Sequence, residues 1–473
     1  MAARDLLDLT LCGLARELDR GALSSVEIVV AYLNRIAALD DPAHAYVDVY
    51  RDSALAAARE ADRKRAAGQG RGPLHGLPIA LKDLLHIRGR VTTAGSKSHP
   101  FGVASETATV VERLLDAGMI ALGKTHLVEF AFGGWGRNAP MGAPWNPWDT
   151  SIHRVAGGSS SGSAVAVAAG LAPAALGTDT GGSVRIPASL CGLTGFKPTY
   201  GLVSLAGVFP LAKTLDSVGP ITRDVDDAAL LLGAIAGPDP RDAATLRVPV
   251  VDFAAARAAA LDLTGLRIAA VPAEQFAWPT EDCVIDARQR AIAALRGLGA
   301  TVEETPAPFD LHDVMVRNGR IIAAEAYALH RDYIGDETAE IDSWVRKRTL
   351  GGKDIGPAEY RDELAARERA AAAFARWMQD RDGLLTPTLP ITATPLDQVD
   401  EATTTLATFT RAVNYVGACA VSLPAGFSDE GLPVGIQITG APFSDAMLVR
   451  IGRAFQSVTD WHRRRPDLAR WQG

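Results

Sequence analysis

Three short segments of this 473-residue chain combine serines, a lysine and glycines in a pattern that suggests acyl-transfer chemistry. The segment GLPIALKD ends an apolar run at Lys82, AGGSSSGSA contains Ser159, and GTDTGGS ends at Ser183. A serine hydroxyl becomes a good nucleophile only when a neighbouring base removes its proton. Because none of the three segments contains a histidine, Lys82 is the candidate base.

A lysine acts as a base only in its neutral form, which burial favours by lowering the pKa by up to roughly 3–5 units. The apolar residues before Lys82 are expected to bury its amine. Ser159 could then relay a proton from Ser183 to Lys82, because a hydroxyl both accepts and donates hydrogen bonds. Four consecutive backbone N–H groups form a candidate oxyanion hole: those of Thr180, Gly181, Gly182 and Ser183.

These segments resemble the amidase signature family. The resemblance also includes GKTHLVEFAFG, NPWD and NYVGACAVSLPAGFSDEGLPVGIQITG, so that it extends over most of the chain. It implies a Ser–Ser–Lys triad in which Ser183 is the nucleophile, Ser159 the bridging serine and Lys82 the base. It also implies a cis peptide bond between Gly158 and Ser159.

Three polar residues beside the triad are expected to hold it in place. Ser160 and Arg185 resemble residues that orient the triad in this family. Asp179 lies two positions before Gly181 and could pair with Arg185 to hold the loop.

Two short motifs suggest other chemistry. Gly118–Thr125 matches the GxxxxGK[ST] phosphate-loop pattern, but a helical segment precedes it and its MIAL stretch is strand-like, which argues against nucleotide binding. Gly158–Gly162 matches GxSxG, in which Ser160 would be the nucleophile of an α/β-hydrolase-type esterase. No apolar strand precedes that motif, so the esterase is the less favoured alternative.

The order of apolar runs and amphipathic segments predicts an α/β fold. LPIALKD and MIALGKT are typical of buried strands, whereas residues 5–65 are predicted to be helical. We expect a single large domain, residues 1–473, with a central twisted mixed β-sheet covered on both faces by α-helices, as in the amidase signature fold. Within it, residues 65–230 would form the catalytic core and residues 255–380 a helix-rich cap over the substrate pocket.

The expected substrate pocket is mostly apolar and carries no strong charge cluster. Its predicted lining comes from two regions, one between Lys82 and Ser159 and one beyond Ser183: Phe130, Phe132, Gly133, Gly134, Trp135, Met141, Met315 and Tyr327. Such a lining predicts a neutral apolar or aryl amide or anilide, or else a carbamate (urethane) or an ester.

One branch of the family transfers ammonia to glutamate on a mischarged transfer RNA and works inside a complex. That branch typically reads DEFAMGSSTENS where this chain has VEFAFGGWGRNAPMG, and the bulky Trp135 would change the pocket wall. The sequence therefore favours a stand-alone amide or carbamate hydrolase. A glutamine-dependent amidotransferase subunit is the alternative.

Charge and cysteine content favour a small-molecule enzyme. The net charge of −7 and the lack of a long apolar run argue against nucleic-acid and membrane partners. The cysteines form no CxxC motif and predict neither a disulfide framework nor a metal site: they are Cys12, Cys191, Cys283 and Cys419. We expect a cytoplasmic enzyme that binds a small amide or carbamate and uses no metal or cofactor, and a homodimer is left open.

Overall fold

The computed structural model describes residues 6–98, 102–402 and 406–471. The strands of these residues form one mixed eleven-stranded sheet. Numbered in chain order, they are β1 (Tyr46–Val49), β2 (Pro78–Lys82), β3 (Ile120–Thr125), β4 (Ala174–Asp179), β5 (Thr194–Lys197), β6 (Ser217–Thr222), β7 (Arg267–Ala270), β8 (Thr301–Glu304), β9 (Gly383–Pro387), β10 (Cys419–Phe427) and β11 (Pro433–Gly440). Their order across the sheet is β1-β3-β2-β4-β6-β5-β10-β11-β9-β7-β8.

Helices flank this sheet. In chain order they are α1 (Leu11–Asp19), α2 (Ser25–Ala43), α3 (Arg51–Ala66), α4 (Thr109–Asp116), α5 (Ser161–Ala168), α6 (Arg185–Leu190), α7 (Val225–Ile235), α8 (Phe253–Ala258), α9 (Asp282–Gly297), α10 (Leu311–His330), α11 (Ser343–Leu350), α12 (Pro357–Trp377), α13 (Arg411–Tyr415) and α14 (Asp445–Ser457). Among the described residues, no helix combines the length and apolar character that a bilayer-spanning segment requires.

The predicted α/β fold is confirmed. Strands β3, β2 and β4 run parallel to one another, the sheet centre from β4 to β9 is antiparallel, and β9, β7 and β8 are again parallel. Every residue of β2 and β4 is buried, as expected for parallel strands that are covered on both faces. The buried apolar residues of β2, β4, α5 and α7 belong to one large core cluster.

One local prediction is wrong, because the region 5–65 is not entirely helical. Its residues Tyr46–Val49 form β1, an edge strand that pairs antiparallel with β3. The four-residue segment YVDV contains two β-branched residues and an aromatic one, and it lies beside the open edge of β3. Pairing with that edge decides its conformation, since strand propensity depends strongly on tertiary context.

The carboxyl ends of β2 and β4 bring the polar residues of the sequence motifs to one edge of the sheet. Because these strands are parallel neighbours, Lys82 at the end of β2 lies beside Thr178 and Asp179 at the end of β4. Helices α5 and α6 begin nearby, at Ser161 and Arg185. Ligands of α/β sheets typically bind outside the carboxyl ends of strands.

Candidate active site

Lys82 is fully buried beside Ser159, the predicted bridging serine. Its Nζ lies 2.7 Å from Ser159 Oγ and 2.8 Å from Thr178 Oγ1. Burial lowers the pKa of Lys82 to about 7, although the carboxylates of Asp179 and Asp216 oppose the shift. An ammonium has three N–H donors, and the described residues provide only two acceptors for this one. A neutral amine can donate to Thr178 and accept from Ser159, so the site is suited to a lysine base.

The Gly/Ser segment contains Ser159, the predicted bridging serine. The peptide bond between Gly158 and Ser159 is cis, and Ser159 is fully buried. The hydroxyl of Ser160 accepts from the backbone N–H of Thr178 and donates to the Thr178 carbonyl, both at 3.3 Å. Ser160 is therefore tied to the backbone of β4 and does not face the cavity, which speaks against it as an esterase nucleophile.

Asp179 holds the glycine turn that carries Ser183. Its carboxylate accepts hydrogen bonds from the backbone N–H groups of Gly182 (2.8 Å) and Val184 (3.1 Å). Arg185 donates two more from Nε and Nη2, at 3.0 and 2.8 Å, and both side chains are fully buried. Although burial favours the neutral acid, the Arg185 guanidinium holds the pKa of Asp179 well below its usual range. The turn is thus fixed by a buried, bidentate ion pair.

The remaining donors of Arg185 link the turn to α13 and β11. Nη1 donates to the Thr410 carbonyl at 3.0 Å and to Gln437 Oε1 at 2.6 Å, and Nη2 also donates to Asn414 Oδ1 at 2.6 Å. All five N–H groups of Arg185 therefore have acceptors. Thr410 Oγ1 in turn donates to the Gly181 carbonyl at 2.7 Å, so the residue just before α13 contacts the turn directly.

The candidate oxyanion hole has fewer unoccupied N–H donors than the sequence suggests. The N–H of Gly182 is already donated to Asp179 and so cannot serve a substrate. In the part of the chain that the structure describes, the N–H groups of Thr180, Gly181 and Ser183 have no acceptor. All three of these residues line the cavity in front of Ser183. They are the available donors for a developing oxyanion.

Ser183 lies at the cavity wall and is 8% exposed. Its carbonyl accepts the N–H of Ser160 at 3.2 Å, which places it next to the bridging serine segment. Within the described ranges, its hydroxyl makes no hydrogen bond, including none to Ser159. Catalytic hydrogen bonds often form only when substrate is bound, and the open Ser183 hydroxyl is accessible from the cavity.

The cavity of about 240 Å³ in front of Ser183 is more polar than expected. Its lining includes the predicted residues Phe132, Gly133, Gly134 and Trp135, together with three charged residues that sequence reasoning missed: Arg348, Glu401 and Arg411. Arg348 forms an ion pair with Glu401 and donates from Nη1 to the Phe132 carbonyl at 2.8 Å. The expectation of a pocket without a charge cluster is therefore corrected.

Four of the residues predicted to line the pocket lie elsewhere. The left-handed backbone of Phe130 (φ 52°) directs its ring onto His330, with 4.3 Å between ring centroids. The Met141 carbonyl is 2.8 Å from a ring nitrogen of the histidine that follows α2. Met315 is buried and Tyr327 is half-buried, both outside the cavity lining. On α10, Ile322 faces the cavity instead.

The phosphate-loop interpretation also fails structurally. Its lysine, Lys124, lies inside β3, is 1% exposed and forms an ion pair with Asp83 at 2.9 Å. A strand with a buried lysine cannot present its amides to a phosphate. Over the described residues, no group of three or more His, Cys, Asp or Glu side chains is arranged to hold a metal ion.

Comparison with known proteins places these features in a family. Residues 27–449 match the sequence profile of the Amidase family. The chain is 41% identical over 490 residues to one subunit of the glutamyl-tRNA(Gln) amidotransferase of Chloroflexus aggregans, covering 98% of this chain and 99% of that protein. The corresponding protein of Geobacter metallireducens is 40% identical over 489 residues, covering 97% of this chain and 99% of the relative.

Solved structures of amidases and of an amidotransferase subunit have folds similar to that of this chain. The peptide amidase of Stenotrophomonas maltophilia has a TM-score of 0.85 at 32% identity, covering 97% of this chain and 98% of that one. The corresponding glutamyl-tRNA(Gln) amidotransferase subunit of Thermotoga maritima has a TM-score of 0.78 at 33% identity, covering 96% of this chain and 95% of that one.

The curated relatives contradict the preference for a stand-alone hydrolase of neutral amides or carbamates. That preference depended on one short segment of the pocket wall around Trp135, whereas the identity to the amidotransferase subunits extends over the whole chain. They also contradict a small molecule as sole partner and the exclusion of nucleic acid, since these relatives are named as one subunit of an enzyme for glutamyl-tRNA(Gln). The net charge of a whole chain does not by itself exclude a nucleic-acid partner.

Two independent lines of evidence therefore agree. The profile and the full-length relatives cover nearly all of the chain, and the fold superposes on an amidase of known structure. Members of this family hydrolyse amide C–N bonds, and the chain is an enzyme of that kind. The chain belongs to the Amidase family.

Proposed function

We propose that this chain is the amide-hydrolysing subunit of a glutamine-dependent amidotransferase that acts on glutamyl-tRNA(Gln). The observation that carries the proposal is the 41% identity to one such amidotransferase subunit over 98% of this chain. The chain would release ammonia from glutamine, and its partner subunits would use that ammonia on the glutamyl group of the transfer RNA.

The contact between Lys82 and Ser159 supports a defined first step. Neutral Lys82 accepts the proton of Ser159 across 2.7 Å, and Ser159 takes the proton of Ser183. The Ser183 oxygen attacks the carbonyl carbon of the glutamine side-chain amide, and the carbonyl oxygen becomes an oxyanion. The N–H groups of Thr180 and Gly181, with that of Ser183, would stabilise this charge.

The second half of the reaction reverses the proton path. The relay returns its proton to the amide nitrogen, and the C–N bond breaks. Ammonia departs, and the glutamyl group remains on Ser183 as an ester. Water then attacks the ester carbonyl, giving its proton to the relay, and glutamate leaves as Ser183 regains its hydrogen. Lys82 acts as a base in each attack and as an acid in each collapse.

The charges of the cavity agree with this substrate better than with an apolar amide. Glutamine is a zwitterion, and the cavity carries two guanidinium groups and one carboxylate: Arg348, Arg411 and Glu401. We further propose that residues 65–230 provide the catalytic centre, and that residues 255–380 cap it, because Ile322 of α10 and Arg348 of α11 complete the cavity wall.

The proposal is tested by reconstitution. The chain is purified alone and together with the remaining subunits of a relative's amidotransferase, and conversion of glutamine to glutamate and ammonia is measured with and without glutamyl-tRNA(Gln). We expect glutamine hydrolysis that the partners and the charged RNA stimulate, and formation of glutaminyl-tRNA. The Ser183→Ala variant should assemble normally but release no ammonia.

A different set of results would contradict the proposed function. If the isolated chain hydrolyses neutral aryl amides rapidly, ignores glutamine and does not bind the other subunits, the proposed function is wrong.

A further inference from the structure

A second cavity, of about 330 Å³, shares no residue with the cavity in front of Ser183. Its lining comes from α1, the start of α7, the end of α14 and the segment that follows α14. Five arginines from these distant segments line the one space: Arg16, Arg223, Arg453, Arg463 and Arg465. Whether their charge is available to a ligand depends on the carboxylates nearby.

Most of these arginines lack a carboxylate partner within the described ranges. The exception is Arg453, whose Nε donates to Asp226 Oδ1 at 2.9 Å. The same carboxylate lies 3.5 Å from Arg257 Nε, so it is already shared between two guanidinium groups. The other four arginines of the lining form no ion pair with any described residue: Arg16, Arg223, Arg463 and Arg465.

The remaining acidic groups near the cavity do not balance this charge. Asp224 caps α7 by accepting the N–H of Asp227 at 2.9 Å, and burial, together with Asp227, raises the pKa of Asp224 and favours the neutral acid. Asp8 lies close enough to Arg465 to raise the pKa of that guanidinium, but among the described residues the two form no ion pair. Desolvation and the charge of Arg223 outweigh this effect and lower the pKa of Arg465 to about 10. The lining therefore has an excess of positive charge at neutral pH.

Two polar atoms of the lining are buried without a hydrogen-bond partner in the described part of the chain: Arg223 Nε and His462 Nδ1. Arg223 is 3% exposed, and its other nitrogens donate to the carbonyls of Leu9 at 3.2 Å and Leu7 at 2.6 Å. Burial lowers the pKa of His462 to about 4, so its ring is neutral at pH 7 and has one N–H to donate. Buried polar groups nearly always have a partner in native proteins, so unpaired ones indicate that a ligand or water completes the site.

We propose that this cavity binds a phosphate group, carried either by a free phosphate compound or by the backbone of an RNA. Phosphate suits the lining because it combines negative charge with several acceptor oxygens, which the planar guanidinium binds through paired hydrogen bonds. Arg463 and Arg465 are exposed, and we expect them to bind it most directly. Within the described chain, Arg465 donates only from Nη1, so its Nε and Nη2 remain for a ligand. The inference goes beyond the proposed function and does not depend on it.

The segment after α14 contains its own control residue. Arg464 lies between two arginines of the cavity lining, but its side chain is not part of that lining. Its guanidinium carbon lies over the rings of Phe427 and Trp461, at 5.5 and 5.3 Å from the ring centroids. Replacing Arg464 therefore removes the same charge from the same segment without touching the cavity.

Calorimetric titration of the full chain with sodium pyrophosphate is the first experiment. We expect the wild type to bind pyrophosphate, and the double variant Arg463→Gln/Arg465→Gln to bind it at least about tenfold more weakly, because charge-assisted hydrogen bonds are lost. Arg464→Gln should change the Kd by less than about threefold. All titrations use one ionic strength, so that screening is equal. Thermal melting establishes that each variant is folded.

Transfer RNA is the second probe, and it distinguishes the two sources of phosphate. If an RNA backbone is the ligand, the double variant should weaken RNA binding and reduce the slope of log affinity against log salt by about 1–2, and pyrophosphate should compete with the RNA. If pyrophosphate binding falls in the double variant while RNA binding is unchanged, the ligand is a free phosphate compound.

Three results would overturn the phosphate site. They are no binding of either probe to the wild type, unchanged binding of both probes in the double variant, and a loss in Arg464→Gln as large as that in the double variant. Neither titration involves ammonia release, so this inference and the proposed function fail separately.

Discussion

The pH dependence of catalysis follows from the buried amine of Lys82. With a pKa of about 7, the neutral fraction is about 90% at pH 8 and about 1% at pH 5. An exposed lysine with an ordinary pKa near 10.4 would be less than about 1% neutral at both pH values. We therefore expect kcat/KM for ammonia release from glutamine to fall by about two orders of magnitude from pH 8 to pH 5, with a midpoint near 7.

The fall in kcat/KM between pH 8 and pH 5 is the acid limb of the pH profile. A variant of Asp216 tests whether this limb belongs to Lys82. Burial raises the pKa of Asp216 to about 7 as well, so it titrates in the same range. Its carboxylate raises the pKa of Lys82. In Asp216→Asn the midpoint should therefore move to lower pH if the amine is responsible, whereas the limb should disappear if the carboxyl group is responsible.

Lys82→Ala completes the test. The variant should lose about 10²–10⁴ in kcat, the usual contribution of a general base, and lose the acid limb. A wild-type profile that is flat from pH 5 to pH 8, a midpoint near 10, or near-normal turnover of Lys82→Ala at pH 8 would refute the neutral-lysine reasoning.

Three further substitutions test the surroundings of the nucleophile. Ser159→Ala should lower kcat by about 10²–10⁴ with little change in KM, and steady-state kinetics that show less than a threefold loss would remove it from the relay. Gly182→Ala should destabilise the protein by about 2–5 kcal/mol in thermal melts, because φ is +127° there and a Cβ would lie 2.3 Å from Thr410 Oγ1; an unchanged melting temperature would contradict this. Arg185→Met should cost about 3–5 kcal/mol in urea unfolding, since it leaves Asp179 as an unpaired buried charge. Adding Asp179→Asn should recover part of that loss, and strictly additive losses would count against the ion pair.

The proximity of Lys82 to the Ser159 and Ser183 segments could be predicted from sequence because its signals are local. An apolar run ending at Lys82 predicts a buried strand end, and glycines next to Ser183 predict a close backbone turn. Both expectations depend on a few adjacent residues, and parallel pairing of β2 with β4 then brings the segments together. The occupied N–H of Gly182 could not be foreseen, because it depends on the orientation of the Asp179 side chain.

The pocket lining was harder to predict because distant segments complete it. Arg348, Glu401 and Arg411 are more than 160 residues beyond Ser183, and no periodicity marks them as neighbours. On α10, the cavity-facing residue Ile322 is five positions from Tyr327, which rotates Tyr327 by about 140° to another face of the helix. The composition of the helix-rich region therefore indicated that it contributes to the cavity wall. It did not indicate which of its side chains line the cavity.

The most direct measurement is the site and pH dependence of covalent labelling by a fluorophosphonate. Peptide mapping should place the adduct on Ser183. The labelling rate should rise with a midpoint near pH 7 in the wild type and fall by at least about 10² in Lys82→Ala. An adduct on Ser160, or labelling of Ser183 at the same rate without Lys82, would contradict a serine activated by a buried neutral amine.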